Sequence, residues 1–372
     1  MQTRIRRIPR TRRSMAGVSL VELMVGITLG LLVLAGLAGV FANSSRSRSD
    51  IERASRQIEN GRYALEVLSQ DIAMAGFYGE FNPNTLATYQ TFVPTTPDND
   101  VCSTDPAVWT SYMNIAFYGF DNGAHAPSCL PGNLKPNTDI VVIRRVYGCE
   151  ANVNGCAAAV IGLPYMQSSK CGTVDGRELK SATISDYYRL GLYGTGGTTF
   201  DRTAKDCATA AGMRRYVEYI YYIATDNGQG QQVPTLTRLE LDPNSPSGFD
   251  VVPMVEGIEM LNIEYGVDFL PLGAGDGQPD GYTADPNSYV PSGCDTAHCS
   301  SARNWENVVS ARINILSRNI DTTPNYTDRK TYALGLDALG QPITYTPGDS
   351  YQRHAYNTVV RVENVAQRRD LP

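Results

Sequence analysis

The chain has 372 residues, of which 19% are charged, and a formal net charge of -6. That length supplies one large domain or two small ones. The acidic balance argues against a general nucleic-acid surface, which needs concentrated positive charge. With 34 glycines, 21 prolines and 22 tyrosines, the composition describes strands joined by many loops.

The first segment is basic. Arg4, Arg6, Arg7, Arg10, Arg12 and Arg13 precede Gly17 with no acid among them. Residues 17–42 then read GVSLVELMVGITLGLLVLAGLAGVFA, and Leu23 to Ala42 is free of charge. A helix of that length rises ~30 Å and matches a bilayer core. The arginines favour a cytoplasmic N-terminus by the positive-inside rule. An ordinary secretory signal has a shorter apolar region and a small-x-small cleavage motif, which Ala35, Gly36 and Ala38 imitate. A plain anchor explains the run and the arginines but not Glu22, because an acid at the edge of lipid is costly unless paired or functional. Gly26 and Gly30 allow close helix contact, although glycine is common in membrane helices generally.

The run Gly17-Val18-Ser19-Leu20-Val21-Glu22-Leu23 resembles the type III signal of prepilins. The resemblance implies cleavage between Gly17 and Val18 by the prepilin peptidase, followed by methylation of the new amino group. Glu22 then becomes the fifth mature residue, the acid that sets axial register against the N-terminal amine of a neighbouring subunit. The family usually carries an aromatic residue or methionine where this chain has Val18.

Beyond Asn43-Ser44-Ser45 the sequence stays periodic. Ile51, Ala54, Ile58, Gly61, Leu65, Leu68, Ile72 and Ala75 recur in steps of three and four and predict one apolar stripe. Arg53, Arg56, Glu59, Arg62, Glu66 and Asp71 fall mostly elsewhere. A single helix from Val18 to Ala75 would be ~87 Å long, with Gly76 as its C-cap.

Residues 79–136 are loop-rich, and the apolar piece Ile115–Phe120 reads as a strand or as loop packing. Asp139–Tyr147 is the first clear strand, short and β-branched. The glycines between Gly191 and Gly197 lack the lysine of a phosphate loop and serve flexibility. Arg215–Ile223 and Thr235–Leu241 predict a hairpin through the turn residues 226–230. In Leu261–Val267 alternate residues share a face. An insertion covers Phe269–Asn304. In Val309–Arg318, Val309, Ala311, Ile313 and Ile315 form a buried face, with Ser310, Arg312 and Asn314 outward. Tyr356–Asn364 closes the sheet.

A search for chemistry yields little. His125, His298 and His354 fall in no metal-binding helix pattern, no nucleophile elbow surrounds a serine, and nothing selects a carboxylate pair. The chain does not read as an enzyme. His298 between Cys294 and Cys299 has poor spacing for zinc. Asp276, Gln278 and Asp280, with the Tyr282 carbonyl and Asp285 or Asn287, resemble an oxygen-ligand loop for calcium. Gln278, Pro279 and the missing twelfth-position glutamate count against it, and a metal-free Asp-Gly turn reads the same residues. No other cofactor is expected. The eight cysteines all follow the apolar segment and favour extracytoplasmic disulfides. Pairing by proximity joins Cys102 to Cys129, Cys149 to Cys156, Cys171 to Cys207 and Cys294 to Cys299, one of 105 complete pairings.

Within the prepilin family, residues 59–65 (ENGRYAL), 74–77 (MAGF), 255–268 and 356–364 resemble the PilW-like minor pilins of type IV pilus assembly. The likeness covers both ends and several core strands but not the insertions. It places a short helical turn before the strand in 255–268. It implies an α+β fold, a long N-terminal helix packed on an antiparallel sheet with large disulfide-bonded insertions. The implied segments are a leader (1–17), a transmembrane half-helix (18–42), an amphipathic half (43–76) and a periplasmic or extracellular head (77–372). The implied role is initiation of pilus assembly at the inner membrane and residence near the fibre tip, in support of adhesion and twitching motility. Implied partners are other minor pilins, the major pilin, the inner-membrane assembly platform, the prepilin peptidase and a tip adhesin. A type II secretion pseudopilin shares the anchor chemistry. A surface-binding module, an adhesin or a DNA-uptake receptor, is the alternative of a different class, though the insertions lack a basic aromatic stripe.

Overall fold

Helix α1 runs from Leu20 to Ala73. A computed structural model describes residues 17–81, 101–123, 126–169, 171, 187–195, 197–272, 275–295 and 298–369. The chain divides into two units, Met1–Glu52 and Arg53–Pro372. In the second unit the buried helix positions are Gln57, Gly61, Ala64, Leu68, Asp71 and Ile72. They follow one another in helical steps of three and four, but the face is rotated from the apolar stripe expected of the sequence. Ile51 is 67% exposed and Ile58 43% exposed. The rotation follows from polar residues on the docking face. Gln57 Nε2 donates to the Ser317 and Gln352 carbonyls at 2.8 and 3.0 Å. Asn60 donates to the Glu256 carbonyl. Gly61 lies under the Tyr356 ring, where a Cβ would come within 2.3 Å. After the helix, Gly76 takes a left-handed φ of 75° and its N–H donates to the Arg144 carbonyl, a conformation that favours glycine at a helix end.

Every strand pairing among the described residues is antiparallel. The first sheet has seven strands: β1 (Phe117–Phe120), β2 (Ile140–Val146), β3 (Pro164–Ser168), β4 (Tyr188–Leu192), β5 (Met213–Ala224), β6 (Thr235–Leu241) and β7 (Phe249–Glu256). Its path is β1-β2-β5-β3-β4, with β6 joining β5 to β7. The long β5 serves several partners because its residues 213–215 pair with β3 and 219–224 with β6.

The second sheet has the order β13-β10-β8-β9, built from β8 (Ile258–Val267), β9 (Gly281–Thr283), β10 (Val308–Arg318) and β13 (Arg353–Arg361). No helical turn precedes β8. The chain leaves β7 at Glu256 and enters β8 through Gly257, whose φ is 79°. The Gly257 N–H donates to the Pro234 carbonyl and its own carbonyl accepts from Arg318. A Cβ there would meet the Arg318 oxygen at 2.7 Å, so one glycine carries the chain between sheets.

A single hydrophobic core joins the two sheets and the helix. It contains Ala64, Leu68 and Ile72 of α1, Val141 and Ile143 of β2, Ile220 of β5, Leu261 and Ile263 of β8, and Val309, Ala311, Ile313 and Ile315 of β10. Each such large aliphatic side chain stabilises by roughly 1.5–3 kcal/mol when fully buried. The outer side of the second sheet is also covered. β11 (Tyr332–Leu336) and β12 (Pro342–Tyr345) form a hairpin, and Tyr332 and Leu334 pack with Met260 and Leu316. Ser310, expected to face out, is buried and donates to the Tyr282 hydroxyl at 3.0 Å. Four short helical pieces lie among the described residues: α2 (Pro106–Ser111), a 3-10 turn (Asp121–Gly123), α3 (Ser301–Glu306) and α4 (Glu363–Ala366).

Candidate functional site

The start of α1 is where the sequence places its functional residues. Ser19 caps the helix: its Oγ accepts from the Val21 N–H at 3.3 Å and its carbonyl from the Leu23 N–H at 3.0 Å. Glu22 is the acid of the first turn, where a carboxylate interacts favourably with the unpaired N–H groups of a helix start. Residues 17–48 are all exposed, among them Leu20 at 74%, Leu32 at 69% and Phe41 at 76%. A Cβ added at Gly26, Gly30, Gly36 or Gly39 would meet nothing within 4 Å. A helix apolar on every side is a buried or membrane helix. The segment is long and apolar enough to cross a membrane, and a signal region near an N-terminus meets the same description. Residues 1–16 of the expected leader lie outside the described residues, as does His125.

All eight cysteines are bonded: Cys102 to Cys129, Cys149 to Cys156, Cys171 to Cys207 and Cys294 to Cys299. Their thiols are therefore unavailable to a metal at His298, whose ring contacts Asp295 at 2.7 Å. His354 packs edge-on against Tyr356.

The residues read as a possible calcium set make local bonds. Asp276 accepts from the Gln278 N–H at 2.9 Å. Asp280 accepts from Phe269 and Leu270 at 2.8 and 2.7 Å, and Asp285 from Asn287 at 2.9 Å. The ring of Tyr282 lies under the Arg312 guanidinium, 3.7 Å from its carbon. The loop is instead organised around Asp268, which is buried, accepts from the Asp276 and Gly277 N–H groups and pairs with Arg369 at 2.7 Å. Among the described residues no three His, Cys, Asp or Glu side chains gather as a metal site.

Sequence reasoning missed the polar ties that hold the second unit together. Asp71 meets Arg145 at 2.8 Å, the Tyr221 hydroxyl at 2.5 Å and Arg238 at 3.4 Å, which binds the end of α1 to β2, β5 and β6. Burial, with the Asp71 carboxylate alongside, drives the Tyr221 hydroxyl far above its ordinary pKa. Arg353 of β13 meets Glu259 at 2.5 Å, Asp349 at 2.5 Å and Asp328 at 3.5 Å. The arginine holds Asp349 below the usual carboxylate range. These side chains tie structure together.

The family profile described as PilW, Type IV Pilus-assembly protein W, matches residues 220–364. That span runs from the middle of β5 through β13 and contains the whole second sheet. The match supports a type IV pilus-related protein. No curated protein and no solved structure matches the chain.

Proposed function

We propose that the chain is a minor pilin that helps to initiate type IV pilus assembly and stays near the fibre tip. The observation that carries this reading is an exposed helix, free of charge from Leu23 to Ala42 and with Glu22 in its first turn, on a chain whose second sheet lies in the PilW match. Residues 1–17 act as the leader, removed after Gly17, and Val18 becomes the methylated N-terminus. Residues 18–42 hold the protein in the inner membrane, residues 43–76 continue the helix, and residues 77–372 form the head outside the cytoplasm.

Assembly follows from charge. The apolar run after Leu23 is sufficient to hold a helix in lipid, so Glu22 is not needed for anchoring. Its carboxylate is costly at the membrane edge until it meets a cation. Cleavage of pilin-type subunits creates one, the N-terminal amine of an adjoining subunit, and the exposed glycines permit close approach of helices. Partners on this reading are other minor pilins, the major pilin, the assembly platform, the prepilin peptidase and a tip adhesin.

The test compares Glu22→Ala and Glu22→Leu with the native chain. Mass spectrometry of the mature protein should find Val18 at the N-terminus in all three. Both variants should fractionate with the membrane, while their recovery with sheared pili drops roughly tenfold or more, the effect of losing ~1.4 kcal/mol. Normal incorporation of both variants would remove Glu22 from assembly. A mature protein that retains Gly17 would remove the processing step.

A further inference from the structure

The strand β13 is an edge. It pairs with β10 along its whole length, from Arg353 to Arg361, and with no other strand among the described residues. The phase of the ladder is set by two flanking bonds, Val362 N–H to the Val309 carbonyl and Asn319 N–H to the Gln352 carbonyl. Even-numbered residues therefore bond to β10. The N–H and C=O groups of Ala355, Asn357 and Val359 point to the open side, because antiparallel pairs alternate in this way. Long unblunted edges are templates for pairing unless something guards them. The other outer strands are guarded or short. β7 carries Pro253, β1 has four residues, all buried, β4 has five, and β9 has three. β13 has nine residues, no proline and no acid, and Val359 on it is 60% exposed.

A groove of about 460 Å³ opens beside the first half of this strand, lined by Ile58, Arg62, Lys330, His354 and Tyr356 among others. None of its lining residues is acidic. Neither Arg62 nor Lys330 has an ion-pair partner among the described residues, and both are exposed. Unpaired cations and a half-exposed isoleucine beside open backbone groups fit an extended chain that brings carboxylates and small apolar side chains.

We propose that β13 takes up an extended acidic segment of a partner protein as an added strand. Main-chain bonds to Ala355, Asn357 and Val359 supply affinity, and the groove, through Arg62 and Lys330, selects acidic side chains on the alternate positions of the incoming strand. The inference concerns the head alone and does not depend on the pilus reading.

The test uses the full chain in detergent micelles with two synthetic peptides, Val-Glu-Val-Glu-Val-Glu-Val and its counterpart with lysine at each glutamate. The acidic peptide should slow amide exchange at Ala355, Asn357 and Val359 and leave Thr358, already bonded to β10, unchanged. Val359→Pro removes one outward N–H and no β10 bond, a position where an edge strand tolerates proline. It should abolish peptide binding with the melting temperature nearly unchanged. The double variant Arg62→Glu, Lys330→Glu leaves the strand intact and should weaken the acidic peptide by roughly tenfold or more. Equal binding of both peptides, protection elsewhere than β13, full binding by the double variant, or pairing of β13 with β13 of a second copy would each overturn the proposal.

Discussion

Asp139 is enclosed on all sides, and its two carboxyl oxygens accept N–H groups from Asn122 at 2.8 Å and Ile263 at 2.7 Å. It thereby ties the 3-10 turn to β8. Burial pushes its carboxyl up to about 7, against the opposing pull of those two bonds. The native state then holds a proton that the unfolded chain has already released between the ordinary carboxylate value and about 7. Stability from this group is fully present below that window and is lost as pH rises through it. Asp139→Asn cannot titrate, and its amide nitrogen would face one of the two N–H donors. The variant should be less stable by ~1–3 kcal/mol on the acid side, and the gap should narrow from pH 4 to pH 8. Denaturant unfolding of both proteins across that range checks it, and a constant gap would show that Asp139 stays in one protonation state. Nothing in sequence singles this residue out among 38 acidic residues, since its character depends on Asn122 and Ile263 closing over it. Asp71 was equally hidden, because a lone acid in a helix reads as solvated until Arg145, Arg238 and Tyr221 are brought to it by three strands.

At the scale of elements, legibility follows local pattern. The hairpin of β5 and β6 and the alternation in β10 were readable, because β-branched runs and turn residues act within a few positions. The same pattern led astray where the burying partner is distant. Leu316 and Ser310 are buried by β11 and Tyr282, elements with no periodic signal of their own. Where the resemblance implies a helical turn before β8, Gly257 instead joins two sheets. For α1 the apolar count favoured Ile58 over Gln57, yet Gln57 is 7% exposed and Ile58 is 43% exposed. Gln57→Ala leaves the Ser317 and Gln352 carbonyls without its donor and should cost ~1–3 kcal/mol. Ile58→Ala should cost about 0.5 kcal/mol or less, as at other partly exposed sites. Hydrophobicity alone gives the reverse order. Thermal or urea unfolding of the two variants decides between them, and a larger loss at Ile58 would mean that the helix docks on its apolar stripe after all.

For the whole molecule, the distribution of the core sets what can stand alone. The first core residue is Ala64, and every other member lies later in the chain. The polar docking bonds begin at Gln57. All eight cysteines, both sheets and the β11–β12 hairpin also lie after Arg53, the residue at which the second unit starts. The apolar run before Arg53 was plain from the sequence because it needs no partner to be recognised. The start of the second unit is not marked, since the amphipathic pattern continues across Ile51 and Ile58. A fragment beginning at Arg53 should therefore fold without detergent as a cooperative unit with all four disulfides. Its melting temperature should lie within a few degrees of the full chain in micelles. The disulfides that close loops of 27 and 36 residues should each contribute ~3–4 kcal/mol through the unfolded state. Reduction should accordingly lower the midpoint of the fragment and of the full chain alike. Non-reducing peptide mapping and calorimetry make the comparison. A fragment that aggregates, or that melts without cooperativity while the full chain remains cooperative, would mean that residues before Arg53 are needed to build the head.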